Sequence, residues 1–250
     1  MNKTSKEENL KQGSEYLSKI YSLDRRPITK YPSQLAKFLF SNYMQDINKE
    51  DIKLLDLGCG RGDMLRAFKN LGLNVFGADL SKESVKLNKP IKITQLDIEK
   101  DRIPKVFINQ FDIVFSKSLI EHLREPMKFF INAKKILKKN GILIVMTPSW
   151  VHHKFGPFYL DFTHVTPFTL QSLRDIAVLN NLQVIKVDYF YQLPIVWKYN
   201  YFKLFSKIVS FLKIPYQPMY ENLTKIKWPN YINTFLRHSN EVMLIGVFKK

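Results

Sequence analysis

Residues 53–65 read KLLDLGCGRGDML: an apolar run that stops on glycine, three glycines in alternate positions, then the opening of a helical pattern. Lys53 to Gly58 has the composition of a buried strand, and the stretch from Gly62 to about Asn70 that of a helix. Gly58, Gly60 and Gly62 fall at the turn between them, where missing side chains let a ligand approach the backbone and the helix N-terminus. A dinucleotide site or a tight packing turn would use the same residues, so the segments downstream of the turn must decide between them.

Those segments are regularly spaced. NVFGADL (74–80), IKITQLD (91–97), FDIVFS (111–116), GILIVMT (141–147), LQVIKVDYF (182–190) and EVMLIGVF (241–248) read as strands. Helical patterns over 83–87, 126–139 and 167–181 alternate with them, the last opened by Pro167. The alternation predicts an α/β fold with crossover helices and the first six strands parallel. Upstream, 10–46 suggests one or two helices, of which YPSQLAKFLFSNYM (31–44) is the better. The organisation expected is an N-terminal helical segment (1–48), a core (49–190), an insertion (191–238) and a last core strand (239–250).

Asp79 ends the second strand twenty-one residues after Gly58, where a carboxylate can accept bonds from both hydroxyls of a ribose. Asp97 ends the third strand in the same way and can face an adenine amine, and Ser116 ends the fourth. Each acid alone fits a loop or capping carboxylate; together they fit a nucleoside ligand.

With LLDLGCGRGD followed by VFGADLS, TQLDIEK, FDIVFSKSLIEHL and ILKKNGILIVMTPS, the chain resembles the class I S-adenosylmethionine-dependent methyltransferases over about residues 50–190 and the last ten. The resemblance implies a Rossmann-like seven-stranded sheet with helices on both faces and an insertion before the last strand. It also implies S-adenosylmethionine lying across the strand ends, with Gly58, Gly60, Asp79, Leu80, Asp97 and Ile98 at the cofactor positions. Asp56 matches the motif as a residue that orients the glycine turn or the methionine amine.

Ligands of open α/β sheets sit outside the carboxyl ends of the strands, so the acceptor should meet the segments leaving those ends. His122, His152, His153 and His164 lie in two of them. DFTHVTPFT (161–169) resembles a segment of methyltransferases from bacterial sugar and surface-polysaccharide pathways, which makes Asp161 and His164 the preferred acid–histidine pair, with His122 its rival. An aspartate that orients the ring and stabilises imidazolium is what a general base needs. A histidine capping the following helix is the structural alternative. SLIEHL (118–123) resembles the segment by which quinone-pathway O-methyltransferases hold a divalent metal, but Ser118 stands where that pattern carries an acid. No metal is therefore assigned.

The single cysteine, Cys59, excludes an intramolecular disulfide or a cysteine zinc site, and no secretion signal or membrane span is readable, which suits a cytoplasmic protein. A net charge of +17 favours an anionic partner, or simply keeps a lysine-rich surface solvated. The fifty residues between the last two strands carry twelve of the thirty-four aromatics. Within them YFKLFSKIVSFLK puts Lys203, Ser206, Lys207, Ser210 and Lys213 on one helical face and apolar residues on the rest. This predicts a lid, an oligomer contact or a peripheral membrane contact through 199–213. The expected acceptor is a small-molecule or glycan hydroxyl, foremost a sugar. The alternatives are a quinone or lipid hydroxyl at the membrane surface, RNA, which lacks a readable binding module here, and a cofactor-binding protein without turnover.

Overall fold

The structure, a computed structural model, describes residues 15–22, 27–45, 49–153, 157–212, 214–217 and 228–250. After α1 (Tyr31–Tyr43) the chain alternates β1 (Lys53–Leu57), α2 (Asp63–Lys69), β2 (Asn74–Asp79), α3 (Lys82–Leu87), β3 (Ile93–Gln95), β4 (Phe111–Lys117), α4 (Pro126–Ile136) and β5 (Leu137–Pro148). It then runs through α5 (Leu170–Leu179), β6 (Gln183–Phe190), α6 (Pro194–Lys198), α7 (Asn200–Leu212), α8 (Asn230–Asn240) and β7 (Met243–Lys249).

The seven strands form one Rossmann-like sheet in the order β3-β2-β1-β4-β5-β7-β6. β1 to β5 pair in parallel and β7 runs antiparallel between β5 and β6. β6 thus shares the direction of the first five strands without touching them.

The side-chain period of a strand divides the core in two. Leu55, Val114, Leu143 and Val145 join Phe129, Phe130 and Ile136 of α4 and Leu173 of α5 on one face. Leu54, Ile113, Phe115 and Ile144 join Leu35 and Leu39 of α1 and Leu65 and Phe68 of α2 on the other. Each of these side chains is fully enclosed. A buried Leu, Ile or Phe contributes roughly 1.5–3 kcal/mol by leaving water, so both helical layers are held by the strands they cover.

Several element ends differ from the sequence reading, each for a local reason. α4 stops at Ile136 and not Lys139, because the carbonyls of Lys135 and Ile136 accept from Asn109 and Gln110 and Leu137 turns extended to pair with Phe111. α5 begins at Leu170 and not Pro167, because Thr169 and Ser172 form a reciprocal capping box there. β3 ends at Gln95, since Asp97 closes a turn by accepting from the amide of Glu99 at 3.0 Å.

Part of the insertion expected over 191–238 lies outside the described residues. Its described helices start at the carboxyl end of β6, where the Trp197 ring packs 5.1 Å from Phe38 of α1 and 5.1 Å from Phe190. The Tyr31 hydroxyl donates to Gln192 at 3.3 Å and ties the same corner together.

Candidate functional site

The turn after β1 is shaped by glycine where side chains are forbidden. Gly62 has φ 75°, and a Cβ there would stand 1.6 Å from the Asn88 side-chain oxygen. Gly60 has φ 49°; its amide donates to Asp79 Oδ2 at 2.7 Å, and its carbonyl accepts from Ser84 Oγ at 2.6 Å and Asn88 Nδ2 at 3.0 Å. The amide of Ser81, which caps α3, donates to Asp79 Oδ1 at 2.8 Å. Asp79 therefore holds the glycine turn with one oxygen and the start of α3 with the other. Ser84 on α3 and Asn88 at its C-cap, four residues apart, complete this clasp, a role that sequence reasoning missed.

Asp56 lies beneath the turn, 3% exposed. Burial, and then the charge of Asp79, raise its carboxyl to about 8 against the opposing charge of Lys117. Burial also raises Asp79, opposed by the two amides that bond it. An acidic floor held partly protonated, with one lysine near it, is suited to a cationic ligand, whose charge would draw the proton off.

The remaining cofactor candidates divide by position. Leu80 is half-buried at the end of β2, its carbonyl accepting from Gln95 at 3.1 Å. Asp97 accepts from the amides of Glu99 and Lys100, and the Ile98 side chain is buried in the core while its carbonyl accepts from Asn132. Ser116 is enclosed, and its hydroxyl donates to the Leu57 carbonyl at 2.9 Å, fastening β4 to the end of β1. It acts on the turn from below.

The two rival histidines form one cluster: the rings of His122 and His164 meet edge to face with centroids 4.7 Å apart. The Asp161 carboxylate accepts from the amide and the hydroxyl of Thr163, and the Thr163 oxygen lies 2.8 Å from His122 Nδ1. His164 Nδ1 donates to the Phe158 carbonyl at 2.6 Å. Asp161, His122 and His164 thus come into one cluster: through Thr163, Asp161 reaches His122, and a backbone carbonyl orients the His164 ring. Burial lowers His122 to about 4, with His164 pushing the same way and Asp161 opposing. His152 and His153 are turned to Ser149, and His238 lies in α8.

Glu121 is fully buried beside this pair. Its Oε2 accepts from Thr147 at 2.9 Å, its Oε1 has no hydrogen-bond partner, and burial raises the group to about 7. Its backbone carbonyl accepts from Val165 and Thr166, which fixes 161–166 against the segment after β4. Ligand atoms of Glu121, His122 and His164 all lie within 4.8 Å of one another, the described residues that come together in a metal-binding set. In the sequence Ser118 speaks against a metal; the fold supplies His164 as a third donor. Two imidazoles and one carboxylate suit a borderline cation such as zinc better than a hard cation that takes oxygen alone.

Comparison with known proteins gives this arrangement a family. The model described as "Methyltransferase domain" matches residues 25–187. The chain belongs to that family. This methyltransferase is 30% identical over 195 residues to the ubiquinone biosynthesis O-methyltransferase of Pelagibacter ubique, 65% of this chain and 78% of that protein. It is 30% identical over 104 residues to the Bartonella quintana protein of the same name, 39% of this chain and 42% of that one. In fold it resembles the methyltransferase in the Haloferax volcanii complex with the Trm112 activator, at TM-score 0.65 and 17% identity, covering 95% of this chain and 96% of that one. It also resembles a SAM-dependent methyltransferase from Archaeoglobus fulgidus, at TM-score 0.57 and 18% identity over 92% and 98% of the two chains. The methyltransferase is thus an enzyme that uses S-adenosylmethionine. Its sequence relatives are named for the quinone pathway, and the polysaccharide resemblance of 161–169 finds no support among them.

Proposed function

We propose that this methyltransferase moves the sulfonium methyl of S-adenosylmethionine onto a hydroxyl of a quinone precursor. The observation that carries the reading is the 30% identity to the Pelagibacter ubiquinone biosynthesis O-methyltransferase over 78% of that protein. The quinone acceptor thereby takes precedence over the sugar acceptor, which only the 161–169 resemblance favours.

In this reading Asp79 accepts from the ribose hydroxyls, and the backbone at Gly58, Gly60 and Leu80 passes close to the cofactor. Asp97 and Ile98 flank the adenine. Asp56 faces the cationic methionine end, and Ser116 keeps the turn in place. The acceptor oxygen forms its bond to the methyl carbon as the carbon–sulfur bond breaks, S-adenosylhomocysteine leaves neutral, and the hydroxyl proton passes to His164. His122, lowered to about 4, stays neutral, and its ring, edge to face with His164, positions that residue. A divalent cation, where one is bound, would be held by Glu121, His122 and His164 and would make the acceptor hydroxyl more acidic; with Nδ1 on the Phe158 carbonyl and its other ring nitrogen on the metal, His164 would then be a ligand in place of the base.

The test is release of S-adenosylhomocysteine with four acceptors in parallel: catechol-type quinone precursors, nucleotide sugars, polysaccharide and RNA. Turnover with the quinone precursors is expected; methylation of a sugar or RNA without them would overturn the reading.

A further inference from the structure

α7 is built inside out for a helix facing water. Ser206 is fully buried and Ser210 is 6% exposed, so the hydroxyl stripe is turned into the protein. Leu204 (62%), Phe205 (56%), Ile208 (46%), Phe211 (84%) and Leu212 (59%), with Tyr201 (57%), face outward at helical spacing three and four residues apart. A helix on the surface of a water-soluble fold places these residues the other way round, and here the serines occupy the positions where the core would accept them. The outward face continues into an apolar cleft of about 320 Å³ between α7 and α8, lined by Phe202, Phe205, Val209 and Phe235. Exposed Lys198 and Lys207 border the face, and Lys203 pairs with Asp188 at 3.3 Å. Lys213 lies outside the described residues.

We infer that this face docks on an anionic lipid surface, with the apolar residues of α7 seated among the acyl chains and the flanking lysines against the headgroups. The chain as a whole carries +17. Two copies meeting through this face would bring like charges together, whereas an anionic bilayer attracts them, so charge selects the lipid over a second copy. Tyr199 and Tyr201, exposed at the start of the helix, have the amphipathic rings that settle at a membrane interface. Among the described residues no helix is long and apolar enough to cross a membrane, so the contact is peripheral. It reaches the catalytic side of the sheet, because α6 and α7 leave the carboxyl end of β6 and Trp197 packs on α1. The docking stands on exposure and charge and is independent of the acceptor's identity.

The experiment is co-sedimentation of the full chain with vesicles of phosphatidylcholine alone and of phosphatidylcholine mixed with phosphatidylglycerol, alongside calorimetric binding of S-adenosylmethionine. The mixed vesicles should retain the protein and the neutral ones should not, with retention falling as salt rises. Leu204→Ser with Phe211→Ser should weaken retention by about tenfold or more while cofactor binding is unchanged. Lys207→Glu should weaken it by a few fold and flatten the salt dependence. As a second readout, Phe211→Trp should shift its emission to the blue on the mixed vesicles. Equal retention on neutral vesicles, no retention on either, or unchanged retention in the serine variant would each overturn the inference. So would a dimer in sedimentation equilibrium that the serine variant dissociates.

Discussion

The proposed cofactor side and the proposed acceptor side of this methyltransferase are assembled differently. On the cofactor side, β1, its glycine turn, β2 and α3 are consecutive in the chain, and Asp79, Ser84 and Asn88 close on Gly60 from within 28 residues. On the acceptor side, 41 residues separate Thr163 from the His122 it bonds, and 161 separate Tyr31 from Gln192. A site made by one short run of chain can be read from spacing. One made where distant loops meet is decided by the fold beneath them.

The sharpest test of this division is His164→Ala. If the base belongs to the distant-loop half alone, turnover should drop 10²- to 10⁴-fold while the calorimetric affinity for S-adenosylmethionine holds. His122→Ala, as the positioning member, should cost less turnover; a larger loss there would exchange their roles.

Gly62→Ala strikes the other half. The new Cβ meets Asn88 at 1.6 Å in a left-handed backbone, so a loss of about 2–4 kcal/mol of stability should appear in denaturant unfolding, with weaker cofactor binding beside it. An unchanged midpoint would mean that the clasp around Gly60 is not under constraint.

Asp79→Ala should cost about 1.5–3 kcal/mol of S-adenosylmethionine affinity, for the lost charge-assisted bonds and the freed glycine turn. Calorimetry measures this directly, and wild-type affinity would remove Asp79 from the ribose.

The smallest effect is in pH. Asp56, raised to about 8 in the fold, keeps a proton that the unfolded chain has already lost, so its contribution to stability is present at low pH and disappears as pH rises through about 8. Glu121 and Glu241, both at about 7, act in the same direction. A cationic cofactor favours ionised Asp56, so its affinity should rise by up to about tenfold per pH unit below pH 8 and then level. Asp56→Asn should flatten that rise, as titration calorimetry between pH 6 and 9 would register.

The chain's own pattern determined the α/β class, the seven strands, the glycine turn and the acid after the second strand, because these depend on neighbours within one or two elements. It placed Ser116 near the end of the fourth strand correctly, while Asp97 lies in the turn past β3; their bonds to the Leu57 carbonyl and the Glu99 amide are matters of three-dimensional contact. Only the tertiary structure decided the rest. It inserted β7 between β5 and β6, brought His122 and His164 ring to ring, set Glu121 behind them with one oxygen unbonded, and turned the serines of α7 inward. A residue's type states what it can bond, and a period states which residues share a face. Which face turns inward, and which distant loop arrives opposite it, is settled by the packing of the whole sheet and its helices, since burying one surface excludes burying another.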